Sequence, residues 1–191
     1  MLALFALVAL PAFDLATAER PRLVQAAEVS VGVEPKTIVA ARNPRSAGGL
    51  HDFSSEGDYW WPDPKNPDAP YVQRDGLTNP DNFVAHRQYL LSFVRDFGIL
   101  SAAYKVTREE RYAAAAVKHL RAWFVDPATK MNPNLLYSQA IKGRSTGRSI
   151  GVIDTVHLAE VALGVEALCG AKAFAKADEA VVTGWFRDYL T

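Results

Sequence analysis

The chain has 191 residues, which is enough for one domain with a sizeable hydrophobic core. Its 21 basic and 21 acidic side chains give a formal net charge of zero, so no overall field would attract nucleic acid or an anionic membrane. A polyanionic ligand would need a local cluster of arginine or lysine. The single cysteine excludes an internal disulfide and a cysteine-based metal site.

The first 18 residues have the features of a processing signal. An apolar run over residues 2–10 is too short to span a bilayer, and Ala16-Thr17-Ala18 fits a small-x-small cleavage site. We therefore predict a signal peptide over residues 1–18, a domain over residues 19–191, and a periplasmic or secreted location. A basic segment before the apolar run is missing, so a short amphipathic N-terminal helix is the alternative interpretation.

Residues 43–80 predict a long loop, because glycine and proline are frequent in this stretch and both interrupt regular structure. Before it, residues 21–31 have weak helical periodicity, and residues 36–41 predict a short extended piece. The loop concentrates aromatic side chains, namely Tyr59, Trp60, Trp61 and Tyr71. Flat rings beside charged groups suit a sugar polymer, since a pyranose has an apolar face and a polar rim. The alternative is that the tryptophan pair fills the core.

Helical spacing of apolar residues follows the loop. It predicts a helix from about residue 81, capped by Asp81, to about residue 105. Thr107 and Glu110 form a capping box that predicts a second helix to about residue 124. Because the link is short, the two helices should pack as an antiparallel hairpin.

A second long loop is predicted over residues 125–147, followed by a helix over residues 148–168. A further amphipathic helix begins near Lys176 and is still running at Thr191, which indicates a truncated protein. Strand patterns are nearly absent from the sequence. The predicted fold class is therefore all-α, built from helix hairpins joined by alternating long and short loops.

The second loop carries a basic cluster of Lys142, Arg144 and Arg148. Arginine forks bind carboxylates through two hydrogen bonds. Arg148 would stand at a helix N-terminus, where a cation is unfavourable unless an anion binds nearby. This placement favours a bound anion, and the alternative is a solvated basic loop.

The histidines give weaker signals. His86 lies beside Arg87 near the aromatic loop and suits a base, a carboxylate partner or a structural role. Asp154 and His157 are three residues apart on a predicted helix, which favours a structural pair. His119 is predicted to lie on the surface. No histidine spacing typical of a metal site occurs, so neither a metal nor a cofactor is predicted.

Several stretches resemble the alginate lyase family, most closely the polyuronate lyases of polysaccharide lyase family 38, which are related to family 5. The resemblance covers about residues 22–191. The stretches that carry it are residues 45–53 (RSAGGLHDF), 56–64 (EGDYWWPDP), 70–76 (PYVQRDG), 79–87 (NPDNFVAHR), 143–158 (GRSTGRSIGVIDTVHL) and 185–191 (WFRDYLT).

The resemblance implies an incomplete (α/α) toroid with its long loops on one face. It also implies metal-independent β-elimination on a polyuronate such as alginate or glucuronan. The family's Asn-Asn-His segment and catalytic tyrosine normally follow the last helix of this chain, so the catalytic residues are expected downstream of Thr191. The residues predicted to bind substrate are Tyr59, Trp60, Trp61, Arg74, His86, Arg87, Gln139, Arg144 and Arg148.

Two other function classes stay open at this point. The first is a non-catalytic carbohydrate-binding helical module that uses the same aromatic and arginine surface. The second is a glycoside hydrolase on a similar barrel, which would need two cleft carboxylates. The clustered candidates for those carboxylates are Asp52, Glu56, Asp58 and Asp63.

Overall fold

The computed structural model describes residues 14–191, and helices dominate this part of the chain. The α-helices are α1 (Leu15–Val31), α2 (Ala85–Thr107), α3 (Glu110–Leu120), α4 (Leu158–Ala167) and α5 (Lys176–Tyr189). Shorter helical segments are the 3-10 helices Ile38–Ala40 and Ser149–Asp154 and the π-helical segment Arg121–Val125 that continues α3. The strands are β1 (Ser54–Glu56), β2 (Trp60–Trp61), β3 (Val72–Gln73) and β4 (Tyr137–Ala140).

The predicted signal peptide is described only in part. Its residues 1–13 lie outside the described part of the chain, whereas residues 14–18 lead into and begin α1, with Asp14 as the N-cap. Over residues 14–191, no helix is both long enough and apolar enough to cross a bilayer.

Helix α2 is the centre of the packing, because α1, α3 and α4 all contact it. Its buried face carries Leu90, Phe93 and Phe97. Phe93 stacks on Trp123 at 4.9 Å between ring centroids, which ties the end of α3 to α2. Burial of each such side chain stabilises the fold by roughly 1.5–3 kcal/mol.

The turn between α2 and α3 differs from the prediction. Thr107 is the last residue of α2 rather than the N-cap of α3, because its hydroxyl donates to the Ala103 carbonyl at 2.7 Å. Arg108 then takes a left-handed conformation with φ of 61°, which ends α2 and lets α3 begin at once. The predicted capping box is therefore wrong, although the two helices pack as a hairpin.

Both long loops emerge at the same end of this hairpin, since one precedes α2 and the other follows α3. Strand β1 of the first loop pairs in parallel with β4 of the second, placing Ser54 opposite Tyr137. Strands β2 and β3 form a small antiparallel pair inside the first loop. The prediction of a helical fold is confirmed, and the structure adds short strands in the loops of the described residues. Each strand has at most four residues, too few for a recognisable sequence pattern.

Other element boundaries also move. Helix α2 begins at Ala85 with Val84 as N-cap, so Asp81 does not cap it. The predicted helix over residues 148–168 is two elements, a 3-10 helix and α4, because Thr155 leaves the helical conformation. Residues 38–40 are 3-10 helix rather than extended. His119 is buried rather than on the surface, since its ring stacks against Phe93 at 6.4 Å.

Candidate functional site

Two loop segments meet at the end of the hairpin where α2 begins. We call residues 57–82 the tryptophan loop and residues 140–148 the arginine loop. The amide of Gly57 donates to the Ala140 carbonyl at 3.0 Å, and the amide of Tyr71 donates to the Lys142 carbonyl at 3.0 Å. A cavity of about 310 Å³ lies beside this junction, lined by Arg45, Glu56, Ile141, Lys142, Arg144 and Thr146 among others.

The Arg144 side chain is held by a carbonyl oxygen and an aromatic ring, but its positive charge is not paired with a carboxylate of the described residues. Its Nε donates to the Tyr71 carbonyl at 2.7 Å, and its guanidinium lies 5.1 Å from the centre of the Trp60 ring. Within residues 14–191, no carboxylate forms an ion pair with Arg144. Lys142 is similar, because its ammonium contacts the Pro67 carbonyl at 3.3 Å rather than an acid.

The aromatic residues of the tryptophan loop are held by backbone contacts. The Trp61 indole donates to the Leu77 carbonyl at 2.8 Å, and Arg74 lies 5.1 Å from the Trp61 ring centre. Trp60 and Trp61 are half-buried in β2, and Tyr59 is 43% exposed. The tryptophans of the hydrophobic core are instead Trp123 and Trp185. Trp60 and Trp61 therefore line the loop surface rather than fill the core.

Arg148 is docked on a single residue of β4. Its Nε donates to the Gln139 main-chain carbonyl at 2.8 Å, and its Nη2 donates to the Gln139 side-chain carbonyl at 3.0 Å. Gln139 is buried and has a left-handed φ of 54°, which is costly for a residue other than glycine. Arg148 precedes a 3-10 helix of six residues, so the argument from an α-helix N-terminus loses its basis.

His86 and Arg87 hold the start of α2 to β1. His86 is only 3% exposed; its Nδ1 accepts from the Ser54 amide at 3.0 Å and its Nε2 donates to the Ala41 carbonyl at 2.9 Å. Burial lowers the pKa of His86, and hydrogen bonds to backbone carbonyls oppose this in part. Arg87 forms ion pairs with Asp154 at 2.9 Å and with Asp58 at 3.3 Å. The polar groups of His86 and Arg87 thus bind partners within the protein itself.

Asp154 is a site residue that the sequence did not reveal. It was expected to interact with His157, but His157 contacts Glu160 at 3.0 Å. Asp154 instead accepts hydrogen bonds from Ser55 and Gln139 and pairs with Arg87. One signal was available in the sequence: Arg87 lies at the start of a predicted helix, where a positive charge is unfavourable unless a carboxylate lies nearby. Nothing in the sequence indicated which carboxylate that would be.

A second missed pair lines the cavity. Arg45 donates through Nε to Glu56 at 2.6 Å, and Glu56 also accepts the Phe83 amide at 2.6 Å. The hydrogen bonds to Glu56 are the main cause of the raised pKa of Arg45. Because the charges of Arg45 and Glu56 cancel, the pair forms part of the cavity wall without adding net charge to it.

The electrostatic pattern of the site divides its cations into two groups. Arg45 and Arg87 are neutralised by carboxylates, whereas Lys142, Arg144 and Arg148 are held by carbonyl oxygens. The second group keeps its charge available for an external anion. In the described part of the chain, no cluster of three or more His, Cys, Asp or Glu side chains could hold a metal ion.

Comparisons with known proteins show which family this chain is similar to. The family model described as alginate lyase matches residues 37–191. The crystal structure of an alginate lyase from Bacteroides ovatus is similar to this chain, with 32% sequence identity and a TM-score of 0.80. The match covers 93% of this chain and 48% of that lyase, so the chain spans about half of the lyase's length. A comparison with curated proteins gives no match.

Proposed function

Because the chain belongs to the alginate lyase family, we propose that it serves in the cleavage of a uronate-containing polysaccharide, alginate or glucuronan, by metal-independent β-elimination. In this proposal the domain is part of an (α/α) toroid whose long loops form a cleft on one face. Support comes from the α2–α3 hairpin, which brings both long loops to one end. A periplasmic or secreted location is part of the same proposal.

The observation that carries the proposal is the way in which Arg144 and Arg148 are held. Both guanidinium groups donate hydrogen bonds to carbonyl oxygens. Each is therefore oriented while its positive charge is not compensated by an ion pair with a carboxylate among the described residues. A polyuronate presents one carboxylate on every sugar. A row of oriented, uncompensated cations beside half-buried tryptophans matches both the charge and the flat rings of such a polymer.

The chemistry of elimination explains why such cations matter. A base removes the proton from the carbon next to the uronate carboxylate. The bond to the glycosidic oxygen then breaks as a carbon–carbon double bond forms, and an acid donates a proton to the departing oxygen. A second negative charge develops on the carboxylate group during proton removal. Donors already aimed at that group stabilise the charge as it forms. We assign Tyr59, Trp60, Trp61, Arg74, Arg144 and Arg148 to substrate binding, and neither the base nor the acid to this chain.

The hydrolase alternative receives less support from the carboxylates. Glu56 and Asp58 are already occupied by ion pairs with Arg45 and Arg87. The pKa of Asp52 is lowered: burial alone would raise it, but hydrogen bonds from Asn132, Gly49 and Asn134 outweigh that effect. A hydrolase needs one carboxyl group that stays protonated to act as the general acid. The lowered pKa of Asp52 does not fit that role, and Glu56 and Asp58 are held by arginines instead of facing each other across a cleft as an acid and base pair.

The proposal is tested by identifying the sugar species that the full-length protein releases from a polysaccharide. It should be incubated with alginate, with polyglucuronate, and with a neutral polysaccharide as the control. We expect ultraviolet absorbance from an unsaturated uronate with one of the acidic polymers and none with the neutral one. New reducing ends without this absorbance would identify a hydrolase. Polymer binding without any product would identify a binding module, and either outcome would overturn the proposal.

A further inference from the structure

We propose that Asp154 is a positioning residue for Arg148, acting through the side-chain amide of Gln139. The inference rests on the proposed function, in which Arg148 binds a uronate carboxylate. Asp154 itself does not reach the substrate-binding surface, since it is only 5% exposed. Its role is to fix the orientation of the Gln139 side-chain amide, so that Nε2 faces Asp154 and Oε1 faces Arg148.

The carboxylate of Asp154 is surrounded by donors. It accepts a hydrogen bond from the Ser55 hydroxyl, one from Gln139 Nε2 at 3.0 Å, and an ion pair with Arg87 Nη2 at 2.9 Å. An ionised carboxylate can only accept hydrogen bonds. The side of the Gln139 amide that faces Asp154 must therefore be its NH₂ group, which turns Oε1 toward Arg148.

The backbone of Gln139 completes the arrangement. Its amide donates to the Ser55 hydroxyl oxygen at 2.8 Å, and its left-handed conformation brings the main-chain carbonyl to the same side as Oε1. Arg148 consequently meets two oxygens, one through Nε and one through Nη2. If the amide were reversed, its NH₂ group would face a guanidinium that also only donates, and Arg148 would lose one of its two anchors.

This relay orients Arg148 without neutralising it. Among residues 14–191, Asp154 forms its ion pair with Arg87 and none with Arg148. Asp154 therefore contacts the charge of Arg87 directly, whereas its link to Arg148 runs only through the side-chain amide of Gln139. The third guanidinium nitrogen, Nη1 of Arg148, makes no hydrogen bond to any described residue and is not fully buried. That nitrogen is the one we assign to the substrate carboxylate.

A double-mutant cycle on binding tests the relay. Oligouronate affinity of the chain is measured by calorimetry for the unmodified protein, Asp154→Asn, Arg148→Ala and the double variant. We expect Asp154→Asn alone to weaken binding by about tenfold, the effect of one charge-assisted hydrogen bond. If Asp154 acts through Arg148, adding Asp154→Asn to Arg148→Ala should cost no further affinity. Two independent losses that simply multiply would overturn the inference.

Controls separate positioning from a general loss of stability. Asp96→Asn is the matched variant, because Asp96 is also a buried aspartate, 4% exposed, that pairs with an arginine and a serine. It lies farther along α2, so we expect lower thermal stability with unchanged affinity. Gln139→Met keeps the side-chain volume and removes the amide; it should weaken binding about as much as Asp154→Asn, and it serves as the test if Asp154→Asn fails to fold.

The outcomes distinguish this inference from the proposed function. Binding of oligouronate by the unmodified chain, with no coupling between Asp154 and Arg148, would overturn the relay and leave the proposed function standing. Absence of any binding by the well-folded chain would overturn the assignment of the uronate site, and the relay with it. Equal loss of affinity in Asp96→Asn would show that reduced stability alone accounts for the effect, which would also overturn the relay.

Discussion

An arginine is available to an anionic ligand only when its neighbours leave its charge uncompensated. Arg87 fails this condition because two carboxylates pair with it, and Arg45 fails it because Glu56 does. Arg144 meets it, because a carbonyl oxygen and the face of Trp60 fix its orientation. The same residue type therefore occurs in two states in one loop junction: paired with a carboxylate in the cavity wall, and held by a carbonyl oxygen with its charge uncompensated.

We predict that Arg144→Ala weakens oligouronate binding by about tenfold or more, because hydrogen bonds to a charged group contribute about 1.5–3 kcal/mol each. The matched control is Arg187→Ala, since Arg187 lies on α5, with a side chain that is 74% exposed, and contacts only its neighbour Asp188 among the described residues. Calorimetry at two salt concentrations is the measurement. Equal affinities for the two variants would remove Arg144 from the site.

At the scale of secondary structure, the sequence predicts elements whose signal is local. The helical spacing of apolar residues located α2, α3 and α5 to within a few residues. It could not locate β1 and β4, because their pairing partners lie about 80 residues apart and each strand is very short. Thr107 shows a different limit, because two local patterns compete there: its hydroxyl bonds to the Ala103 carbonyl and stays in α2 instead of capping α3.

The candidate site was predictable to the same degree. Arg144 and Arg148 cluster within one glycine-containing stretch, so their proximity is visible in the sequence. The roles of His86, Arg87 and Asp154 depend on contacts between distant segments. Residue spacing carries no information about which buried carboxylate will neutralise which arginine. The sequence therefore indicated the cluster of cations that we propose to face the ligand, but not the internal network that supports it.

The arginine loop depends on a close approach to the tryptophan loop at Gly143. A Cβ atom there would lie 2.8 Å from Pro70 Cα, and the φ of 73° is itself unfavourable for other residues. We predict that Gly143→Ala shifts the loop, lowers oligouronate affinity and destabilises the fold by about 1 kcal/mol or more. Affinity by calorimetry and unfolding in urea are the measurements.

Gly98→Ala is the control for this change. Gly98 lies inside α2, and a Cβ atom added there meets nothing within 4 Å among the described residues. We expect this variant to gain up to about 1 kcal/mol from helix propensity with no change in affinity. If Gly143→Ala behaved like Gly98→Ala, the close packing of the two loops would not matter for binding.

At the scale of the whole molecule, zero net charge conceals an uneven distribution. Cations with uncompensated charge gather at the loop end of the α2–α3 hairpin, while one histidine is buried on each of these two helices. His86 lies at the start of α2 under the loops, and His119 of α3 packs against Phe93 of α2. In both cases burial is the largest cause of a pKa below the ordinary value of 6.5. The fold is therefore built around two neutral imidazoles.

This arrangement predicts sensitivity to mild acid. Where the folded-state pKa is the lower one, the unfolded chain binds more protons, so the free energy of unfolding falls as the pH drops below about 6.5 toward the folded-state pKa values. Each histidine contributes at most about 1.4 kcal/mol per pH unit. The stabilisation is fully present above this range. Urea unfolding between pH 7.5 and about 5 is the measurement.

His119→Leu should remove one of these two contributions. Neither ring nitrogen of His119 has a hydrogen-bond partner of good geometry among the described residues, and a backbone contact with Val33 only weakly opposes the lowering of its pKa. An apolar replacement therefore loses little hydrogen bonding and can raise stability at neutral pH. We expect a shallower fall in the free energy of unfolding with acid than in the unmodified protein. His157→Gln is the control, because His157 is exposed and contacts Glu160 at the surface. Identical pH slopes in the unmodified chain and His119→Leu would show that burial of this imidazole does not limit stability in acid.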